Sequence, residues 1–227
     1  MITARETYQI GLSELNKLIS NNEQDVPEYI WVLEFNKQQL HYIENHYKLD
    51  ERDKYQIHKI QKILVNKNLT KKKVNGNFSE FDLPDDYLRY SSSIINISSC
   101  PKQLEVHLFE EHNINNIIKD PMWKPSLKFE ECPVTISNQK LNIYHLNEFT
   151  PESVTIHYYR YPVEIDIADG FNHLDGTASK DINPEWDDIN TQEIIDLTVR
   201  ALASSYSDEY ARQVKDAHIK ETQYRLQ

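Results

Sequence analysis

Hydrophobic periodicity changes twice along this chain of 227 residues, and no other feature limits its possible folds more. Apolar side chains first recur at three- and four-residue spacing, then alternate in short β-branched runs, then return to the helical repeat. Such a pattern predicts an α+β fold in which N- and C-terminal helices form a helical bundle with an inserted antiparallel β-rich region. Within one domain, helical parts are expected at 1–66 and 189–220 and the β-rich insertion at 74–168. An acidic loop is expected at 164–188 and a C-terminal tail at 219–227.

Local signals place the elements. Thr3 and Glu6 have the spacing of a capping box, ahead of Tyr8, Leu12, Leu15 and Ile19. Pro27 suits a helix start, and from Glu28 to Tyr47 the stripe is expected on Leu33, Leu40, Ile43 and Tyr47, with Asn36 in the same phase. Ile57, Ile60 and Leu64 predict a third helix. Asn75-Gly76 predicts a hairpin turn. Strands are expected at SSSIINIS, Gln103 to Leu108, Cys132 to Ile136, Leu141 to His145 and Val154 to Tyr161, with a short helix within Phe109 to Ile118. Asn190 is the expected cap of a last helix carrying Ile195, Val199, Leu202, Tyr206 and Tyr210.

Composition removes several function classes. A formal charge of −11 opposes wrapping of nucleic acid, which needs a basic face. With four glycines there is no GxGxxG and no GxxxxGK[ST], so a phosphate-cradling loop is not expected. Cys100 and Cys132 stand far apart outside any zinc spacing, and His107 and His112 do not have the HExxH spacing. No cofactor and no metal are expected. Without an apolar run of 18 residues or a secretion pattern at its start, the chain reads as soluble and intracellular. The carboxylate pairs Asp85-Asp86 and Asp187-Asp188 are what a hydrolase would use, but they stand where turns and helix starts take Asp.

Aromatic residues are numerous, with 14 Tyr, 7 Phe and 3 Trp. In the stretch SVTIHYYRYPVEIDI, Tyr158, Tyr159, Arg160 and Tyr161 fall on both faces of one predicted strand, which marks them as candidate subunit-interface residues. Between Glu164 and Asp188 stand eight acids and one lysine.

Several phrases, taken in order, resemble the head-to-tail connector and adaptor proteins of tailed bacteriophages, crAss-like and other podovirus-type phages above all. They are LNKLISN, YIWVLEFNKQQLHYIENHY, EFDLPDDYLRYSSSIINI, KDPMWKPSL, LNIYHLNEFTPESVTIHYYRYPVEIDI and PEWDDINTQEIIDLTVRALA. The motif positions are Asn36 and Gln39, Leu83 to Tyr87, Tyr158, Arg160 and Pro162, and Glu193 to Leu197. The resemblance spans most of the chain, and its specificity lies in the order of the motifs.

The resemblance implies a non-enzymatic virion protein, assembled in the host cytoplasm as a homo-oligomeric ring, often of twelve copies, at the portal vertex. Its partners would be the portal protein and other tail or ring proteins, with no membrane contact. DNA would pass through the lumen without specific binding. Tyr206, Tyr210, Arg212, Tyr224 and Arg225 would dock on the portal or the adjacent ring, and Glu164, Asp166, Asp169 and Asp175 would face the channel or solvent. A distal tail or tail-hub component and a carboxylate-dependent hydrolase are the alternatives.

Overall fold

The computed structural model describes residues 1–18, 26–50, 58–97, 100–168 and 176–206. The chain divides into two compact units, one made of Met1–Lys62 with Pro162–Gln227 and the other of Ile63–Tyr161.

The first unit is built on α1 (Ala4–Leu18), α2 (Glu28–Asp50) and α3 (Asp188–Tyr206), with α1 and α2 both packed on α3. The capping box forms: the Thr3 amide donates to Glu6 Oε2 at 2.8 Å, and the Glu6 amide to Thr3 Oγ1 at 3.2 Å. These bonds favour the ionised acid and hold Glu6 below the usual carboxylate range. Gly11 lets α1 approach α2, because a Cβ there would lie 1.9 Å from the Trp31 ring.

The buried face of α2 matches the expected stripe only in part, at Ile43. Leu33 is 58% exposed and Leu40 is exposed as well, whereas Trp31, Val32, Phe35, Tyr42 and Ile43 form the core with Gln38 and Gln39. An aliphatic count missed that aromatic rings and hydrogen-bonded amides fill this face.

Two boundaries also differ. Leu64, expected in a third helix, opens the first strand after a 3-10 turn at Gln61–Ile63, and Ile57 lies outside the described residues. The cap of α3 is Asp187, whose Oδ1 accepts the Asn190 amide at 2.9 Å. Asn190 sits one turn further on, buried, accepting Tyr42 Oη–H at 3.0 Å and donating to the Lys59 carbonyl at 3.0 Å.

The second unit corrects the expected fold class. In place of an antiparallel insertion in a helical bundle, seven strands close a β-barrel: β1 (Leu64–Asn75), β2 (Phe78–Asp82), β3 (Tyr87–Ile97), β4 (Cys100–Leu108), β5 (Glu131–Ser137), β6 (Lys140–Tyr144) and β7 (Pro151–Arg160). Their order around the barrel is β1-β2-β6-β5-β4-β3-β7, and β7 pairs back onto β1.

Closure depends on long strands that serve two neighbours. β1 gives Leu64 to Thr70 to β7 and Lys71 to Asn75 to β2, with a bulge between Lys71 and Lys73. β3 pairs with β7 along its length and with β4 at its end. One pair, β4 with β5, is parallel, so the chain between them, 109–130, must cross back along the barrel. The expected helix there is only a 3-10 turn at Glu111–Asn113 and one helical turn at Ile114–Ile117.

Side chains fill the interior, as a barrel of this size requires: Leu69, Phe81, Ile95, Leu104, Leu141 and Ile156 are among those that meet there. The predicted hairpin turn is present, with Gly76 at φ 51°. Among the described residues, no helix is long and apolar enough to cross a membrane.

Candidate functional site

The motif residues of the resemblance lie far apart in sequence, and the fold gathers them into two networks, one in each unit.

In the helical unit, Asn36 on α2 grips the backbone of the segment after Pro162. Its Nδ2 donates to the Ile165 carbonyl at 3.0 Å and its Oδ1 accepts the Ile165 amide at 2.8 Å. One turn on, Gln39 Nε2 donates to Asn36 Oδ1 at 2.9 Å and reaches the Val163 carbonyl at 3.4 Å. Its Oε1 accepts the indole N–H of Trp186 at 2.7 Å. Gln39 and Trp186 are buried, where each unmade bond would be costly. Glu193 of α3 forms an ion pair with Lys59.

In the barrel, Asp86 of the LPDDY motif accepts Tyr158 Oη–H at 2.8 Å, and its carbonyl accepts the Tyr161 amide at 2.9 Å. Tyr87 is the register partner of Arg160. Burial, with Asp86 beside it, pushes the Tyr158 hydroxyl up to about 12.

These contacts correct the expected subunit interface. Tyr158 and Tyr159 are each only 2% exposed, so neither is available to a neighbouring copy. Tyr158 belongs to the barrel core. Arg160 is half-buried and donates to its neighbour's carbonyl, that of Tyr161, at 2.9 Å; Tyr161 alone of the four is exposed.

The acids of 164–188 divide likewise. Glu164 is exposed. Asp166 is not solvent-facing: it is 6% exposed, and its carboxylate accepts the Ile167 amide at 2.9 Å and the Lys180 amide at 2.7 Å. Asp181 accepts the Ala168 amide and Glu185 the Val163 amide, at 3.0 and 2.8 Å. Asp169 and Asp175 lie outside the described residues, as do Tyr210, Arg212, Tyr224 and Arg225; Tyr206 is the last described residue and has helical backbone.

Groups that could carry chemistry have structural partners. Ser79 Oγ lies 3.1 Å from His145 Nε2, both buried. The Asn147 amide donates to His145 Nδ1 at 3.2 Å. Nδ1 is therefore the unprotonated nitrogen of the neutral ring, and Nε2 carries its proton toward Ser79. In this tautomer Ser79 Oγ accepts from the ring. Burial, with Lys71 nearby, also lowers the His145 pKa.

Burial pushes the Cys132 thiol up, away from the reactive thiolate. Asp187 caps α3 and Asp188 accepts the Ile2 amide at 2.9 Å. No group of three His, Cys, Asp or Glu among the described residues is placed to hold a metal ion.

The exposed side chains of most interest lie on the β4–β5 crossover. Trp123 stands edge-on to His107 at 5.3 Å and to Phe109 at 5.7 Å, while Met122 and Phe129 are 75% and 65% exposed. Sequence reading used KDPMWKPSL only as a resemblance phrase. Its signal, aromatic and lysine residues held between Pro121 and Pro125, was there to be found. In comparisons with known proteins, no protein-family model and no curated protein matches the chain.

Proposed function

We propose that this chain is a structural virion protein that assembles as a ring at a phage portal vertex, joins the portal to the tail and extends the DNA channel. One observation supports this reading above the others: the residues that carry the resemblance make contact with one another. Asn36 and Gln39 hold the segment following Pro162 and the tryptophan of PEWDD, and the LPDDY turn holds the strand that ends in Tyr-x-Arg-x-Pro. Motifs that act as joints of a scaffold suit a protein whose product is a shape. The net charge of −11 suits a channel wall that DNA must pass without adhering.

Imaging of the purified chain mixed with the portal of the same phage tests this. The expected particles are portals crowned by a coaxial ring of the chain. Portals that stay bare at saturating chain concentration would contradict the reading and favour a distal tail component.

A further inference from the structure

Where β6 hands over to β7, the backbone takes a conformation that one of its residues resists. Leu146 adopts φ 46° and Asn147 φ 62°, in the left-handed region, which asparagine enters readily and leucine does not. Such a conformation persists only where neighbouring bonds impose it. Two groups impose it here. The Asn77 carbonyl, in the β1–β2 turn, accepts the amides of His145 and Leu146, both at 3.0 Å. The His145 ring supplies the rest: Nδ1 accepts the Asn147 amide at 3.2 Å, while Nε2 stands 3.1 Å from Ser79 Oγ on β2.

The ring therefore pins the segment that joins the two strands, and only its neutral form can do so. A protonated imidazole carries N–H at both nitrogens, so Nδ1 stops accepting and sets its own proton against that of the Asn147 amide. The surroundings bear on that charge from three sides. From β1 comes Lys71, a like charge whose Nζ donates to the Pro151 carbonyl at 3.3 Å. From β2 come the neutral Ser79 hydroxyl and a backbone hydrogen bond at Phe78, which favours the protonated ring. The segment itself brings the Phe149 ring, 6.1 Å away, and the exposed acid Glu148, whose amide donates to the His145 carbonyl at 2.8 Å. Phe149 ties the segment to the barrel, being 5% exposed and part of the same apolar core as Phe81 and Ile143.

We propose that protonation of His145 unpins residues 146–149 while the barrel stays closed, so that Leu146 leaves the left-handed region and Phe149 leaves the core. The strain at Leu146 biases the segment toward opening once its pin is lost. The strand ladders on either side, β6 with β2 and β5 and β7 with β1 and β3, are main-chain pairings that do not pass through the ring. The result is an acid-operated latch at one end of the barrel, independent of the ring reading.

An NMR titration of the full chain from neutral pH downward tests the latch. It follows the His145 ring protons, the Asn147 amide, and the Cα and Cβ shifts of Leu146 and Asn147, which report φ. The ring and the Asn147 amide are expected to move together with a midpoint below about 6.5. Over the same range the Leu146 shifts should leave their left-handed values, while the amides of Val134 and Ile143 stay in place. His145→Gln, uncharged at every pH, should show no such transition. Leu146→Gly removes the strain, since glycine holds a positive φ without cost, and should lower the opening midpoint by about half a pH unit.

Leu146 shifts that keep their left-handed values after the ring has titrated would overturn the latch. So would a transition that survives in His145→Gln, or a midpoint unmoved in Leu146→Gly. Barrel amides lost before or together with the segment would also overturn it, because that is unfolding of the whole barrel rather than release at one end.

Discussion

The two units solve the same problem, the satisfaction of buried backbone groups, by different means. In the barrel the strands pair with one another all the way round, so main-chain donors and acceptors are consumed by main chain and the interior can be almost wholly apolar. In the helical unit the segments 163–168 and 180–186 pair main chain to main chain at the Asp166–Ile182 bridge, and side chains serve other amides of these segments. Asn36, Glu185, Asp166, Asp181 and Asn183 each accept a backbone amide there or at Ala4. The amide and acidic residues that look like a solvated surface in the sequence are thus, in good part, the hydrogen-bonding partners of an irregular backbone. Specificity in one unit resides in shape, and in the other in polar matching.

Substitutions can break that contrast, beginning with the largest effect. Phe81→Ala, deep in the barrel, should cost about 3–5 kcal/mol in a denaturant melt, since nothing polar can substitute for lost volume. Gln39→Ala should cost about 2–4 kcal/mol by leaving the buried Trp186 N–H without its acceptor and removing one of the two donors to Asn36 Oδ1. If Gln39→Ala melts like the wild type, the polar account of the helical unit is wrong. Gly11→Ala should destabilise by about 1–3 kcal/mol, because the new methyl meets the Trp31 ring, even though alanine is the better helix former. A stabilised variant would show that α1 and α2 are not so closely packed.

Smaller effects sharpen the same contrast. Tyr158→Phe removes a single hydroxyl bond to Asp86 and should cost about 1 kcal/mol while leaving the barrel intact by circular dichroism. The smallest effect is one of pH. Burial depresses the His145 pKa in the folded chain, so the unfolded chain binds more protons between the two pKa values. Its stabilising contribution is complete above the unfolded value of about 6.5 and is lost as pH falls from there through the folded value. His145→Gln should flatten that dependence, and a ring-proton NMR titration of His145 should report a midpoint below the ordinary one. A midpoint above it would reverse the sign and contradict the assignment.

Legibility in the sequence followed the range of the interaction concerned. The capping box of Thr3 and Glu6, the hairpin at Asn75-Gly76 and the core positions Ile195, Val199 and Leu202 were readable because each depends on residues within a turn or two. Closure of the barrel was not, since it rests on β1 meeting β7 some ninety positions along the chain, between Leu64 and Tyr159, and on bulges that bend the strands. The face of α2 was misread because Gln39 looks polar until Trp186 and Val163 are brought to it. Tyr158 and Tyr159 looked like surplus aromatics for a neighbour, yet the fold buries both. Alternation shows which side chains share a face, and not what covers that face.

The absolute mass of the purified chain, by light scattering on a sizing column, alone and then mixed with the portal of the same phage, tests the central claim most directly. The account predicts a ring-sized species, or a monomer that joins the portal in a fixed high ratio. A strict monomer indifferent to the portal would contradict it.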